Sequence, residues 1–288
     1  MPVPPLKRWI CCLVLVTAAC PAPSAAADPP WRRHTIDAAD RAAFKRGADG
    51  VRLADINGDG RLDVTTGWEQ GGAIRVCVNP GPAAARRPWP AVTVGKVQSP
   101  EDAVFADLDG DGRLDVVSSC EGKTRSIFIH WAPANRNRWR DAKAWNTGTV
   151  PAVAGKQAWM YALPLDIDHR HGIDLLVGSK GKAAGVGWLE SPADPRDLSG
   201  WKYHRLIDAG WIMSLEPHDV DGDGDTDVVV SAPATSSQQL TRRIFPTSNT
   251  ADHGLEVETP PGQKRRRRRR RREAAQVGRG RVSSATRV

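Results

Sequence analysis

Short apolar runs recur along the chain in pairs, each pair split by a polar stretch rich in Asp and Gly. Val51 to Ala54, Ala103 to Ala106, Tyr161 to Leu165 and Ile212 to Leu215 precede such stretches, and Val64-Thr65-Thr66, Val116-Val117, Leu175-Leu176-Val177 and Val228-Val229-Val230 follow them. Runs this short, partly β-branched and bounded by turn residues predict strands. A third run ends at proline in three units: Ile74 to Asn79 before Pro80, Ile127 to Ala132 before Pro133, and Val186 to Ser191 before Pro192. A fourth starts at tryptophan in every unit, at Trp31 to Ile36, Trp89 to Val94, Trp145 to Val150 and Trp201 to Leu206. Four short antiparallel strands per unit make the blade of a β-propeller. The recurring tryptophans read first as packing between blades, with ligand stacking as the alternative.

The polar stretches are themselves a repeat. Asp55-Ile56-Asn57-Gly58-Asp59-Gly60-Arg61-Leu62-Asp63 is followed by Asp107-Leu108-Asp109-Gly110-Asp111-Gly112-Arg113-Leu114-Asp115 and, later, by Asp219-Val220-Asp221-Gly222-Asp223-Gly224-Asp225-Thr226-Asp227. Between the last two lies a divergent copy, Asp166-Ile167-Asp168-His169-Arg170-His171-Gly172-Ile173-Asp174, so the first aspartates are 52, 59 and 53 residues apart.

Oxygen side chains at loop positions 1, 3, 5 and 9, with a carbonyl at position 7 (Arg61, Arg113, Asp225), form the all-oxygen shell that suits Ca²⁺ in a structural role. Gly at positions 4 and 6 permits the sharp path. A solvated acidic turn is the plainer reading. Against it, two carboxylates about 4 Å apart repel by roughly 4 kcal/mol at an effective dielectric near 20, and each loop gathers several. In the divergent copy Arg170 stands at position 5, where a guanidinium can replace the cation among Asp166, Asp168 and Asp174. Zn²⁺ on His169 and His171 is the lesser alternative.

These loops and their flanking strands resemble FG-GAP/VCBS repeats, the units of integrin α-type propellers, over Trp31 to Val230. Thr66-Gly67-Trp68-Glu69, Ser99-Pro100-Glu101-Asp102-Ala103, Ser119-Cys120-Glu121-Gly122-Lys123-Thr124 and Asp208-Ala209-Gly210-Trp211-Ile212-Met213-Ser214 are similar to exported bacterial VCBS-repeat proteins. The resemblance implies an all-β propeller with Ca²⁺ in the loops on one face and a ligand or partner on the other. About four blades are legible where that family usually has about seven, which leaves open edges at both ends.

Composition adds compartment and charge. The chain has 288 residues with 27 Gly and 22 Pro, favouring turn-rich β structure. Its net charge of +8 arises in the tail, where Ser231 to Val288 holds 14 Lys/Arg against 4 Asp/Glu, including Arg265 to Arg272. No nucleic-acid role follows for the body; the tail reads as disordered and able to bind polyanions, or as the product of a shifted reading frame after Val230. Lys7-Arg8, the apolar Trp9 to Ala19 and the small residues up to Ala27 have the order of a signal peptide (residues 1–27), too short to span a bilayer. A lipoprotein anchored through Cys20 is the weaker alternative. Cleavage near Ala27 leaves Cys77 and Cys120, read as two separate thiols or, less favoured, as one bridge.

The loops opposite the aspartate turns, which join strand four to strand one and strand two to strand three, place Glu69, Glu101, Asp102, Glu121, Lys156, Gln157, Trp159 and Trp211 on one rim. That composition suits a polar ligand, a polysaccharide or an extracellular protein, with Trp159 or Trp211 as a stacking platform. Two function classes stay open: a non-catalytic binding or adhesion scaffold, and a secreted polysaccharide hydrolase or lyase using rim carboxylates or a lysine base.

Overall fold

The computed structural model describes residues 32–38, 47–220, 222, 224, 226–232 and 240–243. The predicted signal peptide, Trp31, Asp221, Asp223, Asp225 and the arginine run lie outside the described residues. The chain falls into two compact units, Met1–His34 and Thr35–Val288. Of the first, residues 32–34 are exposed and carry no strand; no strand is found at 35–36 either, so the strand expected over Trp31 to Ile36 is absent among the described residues.

The second unit is all-β. β1 (Ala48–Ala54), β2 (Asp63–Trp68), β3 (Ala73–Cys77) and β4 (Ala91–Gly95) form sheet 1, and β5 (Pro100–Ala106), β6 (Asp115–Cys120), β7 (Ile127–Trp131) and β8 (Asn146–Thr149) form sheet 2. β9 (Ala158–Leu165), β10 (Asp174–Lys180), β11 (Gly185–Glu190) and β12 (Lys202–Asp208) form sheet 3; β13 (Ser214–His218), β14 (Asp227–Ser231) and β15 (Leu240–Arg243) form sheet 4. Every pairing is antiparallel between neighbours in sequence. Each aspartate loop joins a sheet's first two strands. The repeat also runs past Val230: β15 pairs with β14 inside the segment read from sequence as patternless tail.

The sheets pack face to face through the two-residue alternation of their strands. In β5, Ala103 and Phe105 join Ile74, Val76 and Val92 of sheet 1 in one core cluster. The alternate residues Val104 and Ala106 join Ala162, Leu163, Leu175 and Val177 of sheet 3 in a second cluster, which continues into Ile212, Leu215, Val228 and Val230. Burying one such side chain stabilises by about 1.5–3 kcal/mol.

Tryptophans fix the approach to the fourth strands. The indole N–H groups of Trp145 and Trp201 donate to Trp139 O at 2.7 Å and Pro195 O at 2.9 Å, each six residues back. Trp89 donates to Ala85 O at 3.0 Å, and Ile36 O accepts from the Trp89 backbone N–H at 2.7 Å. With Trp145 and Trp201 buried, these residues serve packing. Cys77 and Cys120 are separate buried thiols, which overturns the bridge alternative, and burial pushes both up to about 12.

Sheets 1 and 2 approach closely at Gly95. The wholly buried His130 accepts or donates at both ring nitrogens, 2.9 Å from Ser118 Oγ and 2.8 Å from Thr147 Oγ1, and burial drives it down to about 3, so it is neutral. A Cβ on Gly95 would lie 2.2 Å from this ring. Gly95→Ala is therefore expected to destabilise the protein by about 1–3 kcal/mol through overpacking; an unchanged midpoint in urea unfolding would contradict this packing.

Candidate functional site

The aspartate loops lie at one end of the inner strands. Position 9 is the most buried: Asp63, Asp115, Asp174 and Asp227 are between 0 and 4% exposed. Each accepts a backbone N–H from loop position 2, Ile56, Leu108, Ile167 or Val220, at 2.9 to 3.3 Å. In the first three loops the other carboxylate oxygen accepts the N–H just past the third strand, from Asn79, Ala132 or Ser191, at 2.7 to 2.8 Å. Burial lifts Asp115 to about 7 and Asp174 to about 6, against the pull of these hydrogen bonds. A divalent cation bound among the acids would reverse that direction.

Position 1 binds the turn. Asp55 accepts from Gly58, Asp59 and Gly60, and Asp219 from Gly222 and Gly224, at 2.7 to 3.1 Å. Positions 3 and 5 repeat the device, Asn57 and Asp109 accepting from the N–H groups of Asp59 and Asp111, and Asp59 and Asp111 from those of Arg61 and Arg113. The guanidinium groups of Arg61 and Arg113 turn back onto Asp59 and Asp111, and Arg196 reaches Asp109 at 2.6 Å. One oxygen each from Asp107, Asp109 and Asp111 lies within 4.8 Å of the others, and Asp107 Oδ1 is buried without a hydrogen-bond partner. An orphaned oxygen in that trio fits a hard cation.

In the third loop Asp166, Asp168 and Asp174 gather in the same way. The expected substitution of the cation by Arg170 is not what the side chains do: no ion pair joins its guanidinium to these acids among the described residues. Its backbone N–H donates to Asp168 at 2.9 Å, and His169 Nδ1 approaches Asp166 at 3.3 Å. His169 and His171 hold φ of 57° and 55°, where the other loops place Gly58, Gly60, Gly110 and Gly112 at 71° to 80°. The path is the same; only glycine adopts it without strain.

At the opposite end, Glu69, Glu101 and Glu121 converge, one oxygen of each within 4.8 Å of the others. Glu69, Glu121 and Lys180 stand six residues beyond the last aspartates of their loops, Asp63, Asp115 and Asp174, so three successive sheets deliver equivalent positions to one cluster. Lys180 Nζ bonds Glu101 Oε1 at 2.8 Å, pairs with Glu121, and lies 4.9 Å from the ring centre of the half-exposed Trp211. Burial lifts Glu101 to about 7; Lys180 pulls it down and its contact with Glu121 pushes it further up. Burial draws the Lys180 ammonium down, but the two carboxylates outweigh that and leave it raised.

The remaining rim residues divide. Asp102 is buried in an ion pair with Arg52 of sheet 1, Nη2 to Oδ2 at 2.6 Å, rather than presented to solvent. Trp159 is fully buried, donates to Val153 O at 3.2 Å and meets Tyr203 edge-on, so it is no stacking platform. Gln157 accepts from Ser179 Oγ, and Lys156 is exposed and outside the glutamate cluster. Apart from that cluster, a cleft of about 390 Å³ opens between Lys182, Ala184, Arg205, Ile207, Asp208 and Val230, and none of the three glutamates, Lys180 or Trp211 lines it. Lys180, Arg52 and Arg205 were missed as site residues; the fixed offset from the loop aspartate identifies Lys180, whereas nothing in the sequence marks the other two.

Two outcomes follow. Replacing His169 and His171 by Gly is expected to stabilise the protein by about 1 kcal/mol each, raising the melting temperature by a few degrees; a lower value would refute the strain. Because Glu101 is raised in the folded state, its contribution to stability is complete below about pH 4.5 and is lost as pH rises through about 7. Glu101→Gln is expected to flatten the pH dependence of unfolding free energy between pH 5 and 8, and parallel curves would count against it.

Residues 55–118 match the family model of the FG-GAP-like repeat. No curated protein matches the chain. Among solved structures, the crystal structure of the V. cholerae biofilm matrix protein Bap1 is similar at 19% identity over 69% of this chain and 30% of that one, with a TM-score of 0.38. The chain thus spans under a third of that protein, and so low a score bears on neither its fold nor its activity. The stretch from the first aspartate loop into β6 is an FG-GAP-like repeat.

Proposed function

We propose that the protein is an exported, non-catalytic binding scaffold whose sheets are blades of a propeller, with Ca²⁺ in the aspartate loops and a polysaccharide or protein ligand on the opposite rim. The observation that carries the reading is the cluster of Glu69, Glu101, Glu121 and Lys180, assembled from three sheets beside Trp211. A scaffold that repeats one strand pattern yet collects its charged residues at a shared end is built to present them.

Ca²⁺ supports this role from the other end. Bound among Asp107, Asp109 and Asp111, with Asp55, Asn57 and Asp59 and with Asp219, Asp221 and Asp223 in the other complete loops, it supplies positive charge that removes carboxylate repulsion. The chain's own part is to hold these oxygens on Asx-type turns and to anchor each loop through its ninth residue. No helix of the described residues is long and apolar enough to cross a membrane; export rests on the signal peptide read from the sequence.

One observation favours a second reading, a polysaccharide hydrolase or lyase. Glu101, lifted to about 7 beside an ionised partner, has the property of a general acid. Lys180 clamps both Glu101 and Glu121, however, which suits fixed recognition better than proton transfer.

The Ca²⁺-loaded protein should be incubated with a polysaccharide panel and scored for retention and for new reducing or unsaturated ends. Retention that weakens in Lys180→Ala, without new ends, is expected; ends that vanish in Glu101→Gln would establish the enzyme instead. Chelation by EGTA should lower the melting temperature, since an ion held only by the folded state stabilises it by about 2.7 kcal/mol at a hundred times its Kd; an unmoved transition would remove Ca²⁺ from the account.

A further inference from the structure

The first strand of sheet 1 is built for a junction that the described residues leave uncovered. Four residues before each loop's first aspartate stand Val51, Ala103, Ala162 and Leu215; the last three are 0 to 2% exposed, whereas Val51 is 64% exposed. Two residues before it, Phe105 of sheet 2 is 8% exposed and its counterpart Leu53 is 57%. In sheet 2 these positions pack on the preceding sheet, within the cluster of Ile74, Val76 and Val92. In sheet 1 the outer half of the same face is already covered, because Asp37 forms a two-bond ion pair with Arg75 at 2.9 and 3.0 Å. The bare part is confined to β1.

Sheet 4 shows the converse. Its face toward sheet 3 buries Leu215, Val228 and Val230. The alternate residues Glu216 and His218 are exposed and Val229 is half-buried, although their equivalents in sheet 2, Val104, Ala106 and Val117, are 1 to 5% exposed beneath the next sheet. The described sheets therefore present, at the two ends of their series, the complementary halves of the junction made closely between sheets 1 and 2 and between sheets 2 and 3. That junction tolerates a charge at the Glu216 position: its equivalent in sheet 1 is Arg52, paired across the interface with Asp102.

We propose that two copies of the chain close on each other head to tail, the β1 face of each copy packing on the outer face of sheet 4 of the other. The occupant is a second copy because that copy carries the matching half, and because a head-to-tail contact either closes or propagates. The four described sheets of two copies make eight, within the range of about four to eight for rings of four-stranded blades. The proposal stands on the internal junctions and is independent of the ligand and the metal.

The full chain in Ca²⁺ buffer, followed by sedimentation and light scattering from 1 to about 100 μM, is expected to reach twice the mass of one chain and stop. Val51→Glu and Leu53→Glu are each expected to weaken the association at least about a hundredfold, as a charge buried in an apolar junction does, while Leu62→Glu, at an exposed loop position, leaves it intact. Hydrogen exchange of residues 48–54 provides a readout that needs no variant, slowing as concentration rises. A monomer throughout, open-ended growth, or a dimer indifferent to both β1 variants would each overturn the proposal.

Discussion

Every loop and sheet in this fold is tied together by one carboxylate. The ninth loop residue, Asp63, Asp115 or Asp174, starts the second strand, is almost wholly buried, and accepts one N–H from the loop and another from the exit of the third strand. Without it, two buried amides at each site would lose their partners, at about 1–3 kcal/mol apiece. It sets where strand one hands over to strand two and where strand three stops before its proline. The period of the whole array follows from that clamp.

Charge is handled differently at the two ends. In the loops, acids are satisfied by backbone N–H groups, by the arginine two residues on and, at Asp109, by Arg196 from beyond β11, and the part left over, Asp107 Oδ1, is what a cation would meet. On the rim, compensation is long-range: Glu101 and Glu121 belong to sheet 2, Lys180 to sheet 3, and Arg52 of sheet 1 answers Asp102 of sheet 2. Rim charges therefore report how neighbouring sheets are seated, whereas loop charges report mainly the state of their own repeat, the Arg196–Asp109 pair between the second and third repeats excepted.

Much of the fold was legible because its signals are local. Strand pairs around the loops, third strands ending at Pro80, Pro133 and Pro192, and fourth strands after Trp89, Trp145 and Trp201 all come from residues that act on their own turn. What escaped depends on who sits opposite. Trp159 looked like a rim aromatic, but its neighbours Val153 and Tyr203 enclose it; Arg170 looked like a built-in cation, but among the described residues no ion pair joins its guanidinium to the loop acids. The three glutamates were identified and the lysine that pairs with Glu101 and Glu121 was not, since its importance lies in a partner 79 residues away. β15 was hidden because its pairing is supplied by β14 rather than by a pattern of its own.

The left-handed backbone at His169 and His171 separates the shape of a loop from its chemistry. Anchored at position 9, the loop keeps its path even where both glycines and the fifth-position oxygen have been replaced. Ligands can then be lost or regained one repeat at a time without dismantling the sheet above them. The frame can thus persist without its full set of oxygens, so a count of such sheets would place only an upper bound on the number of cations their loops could hold.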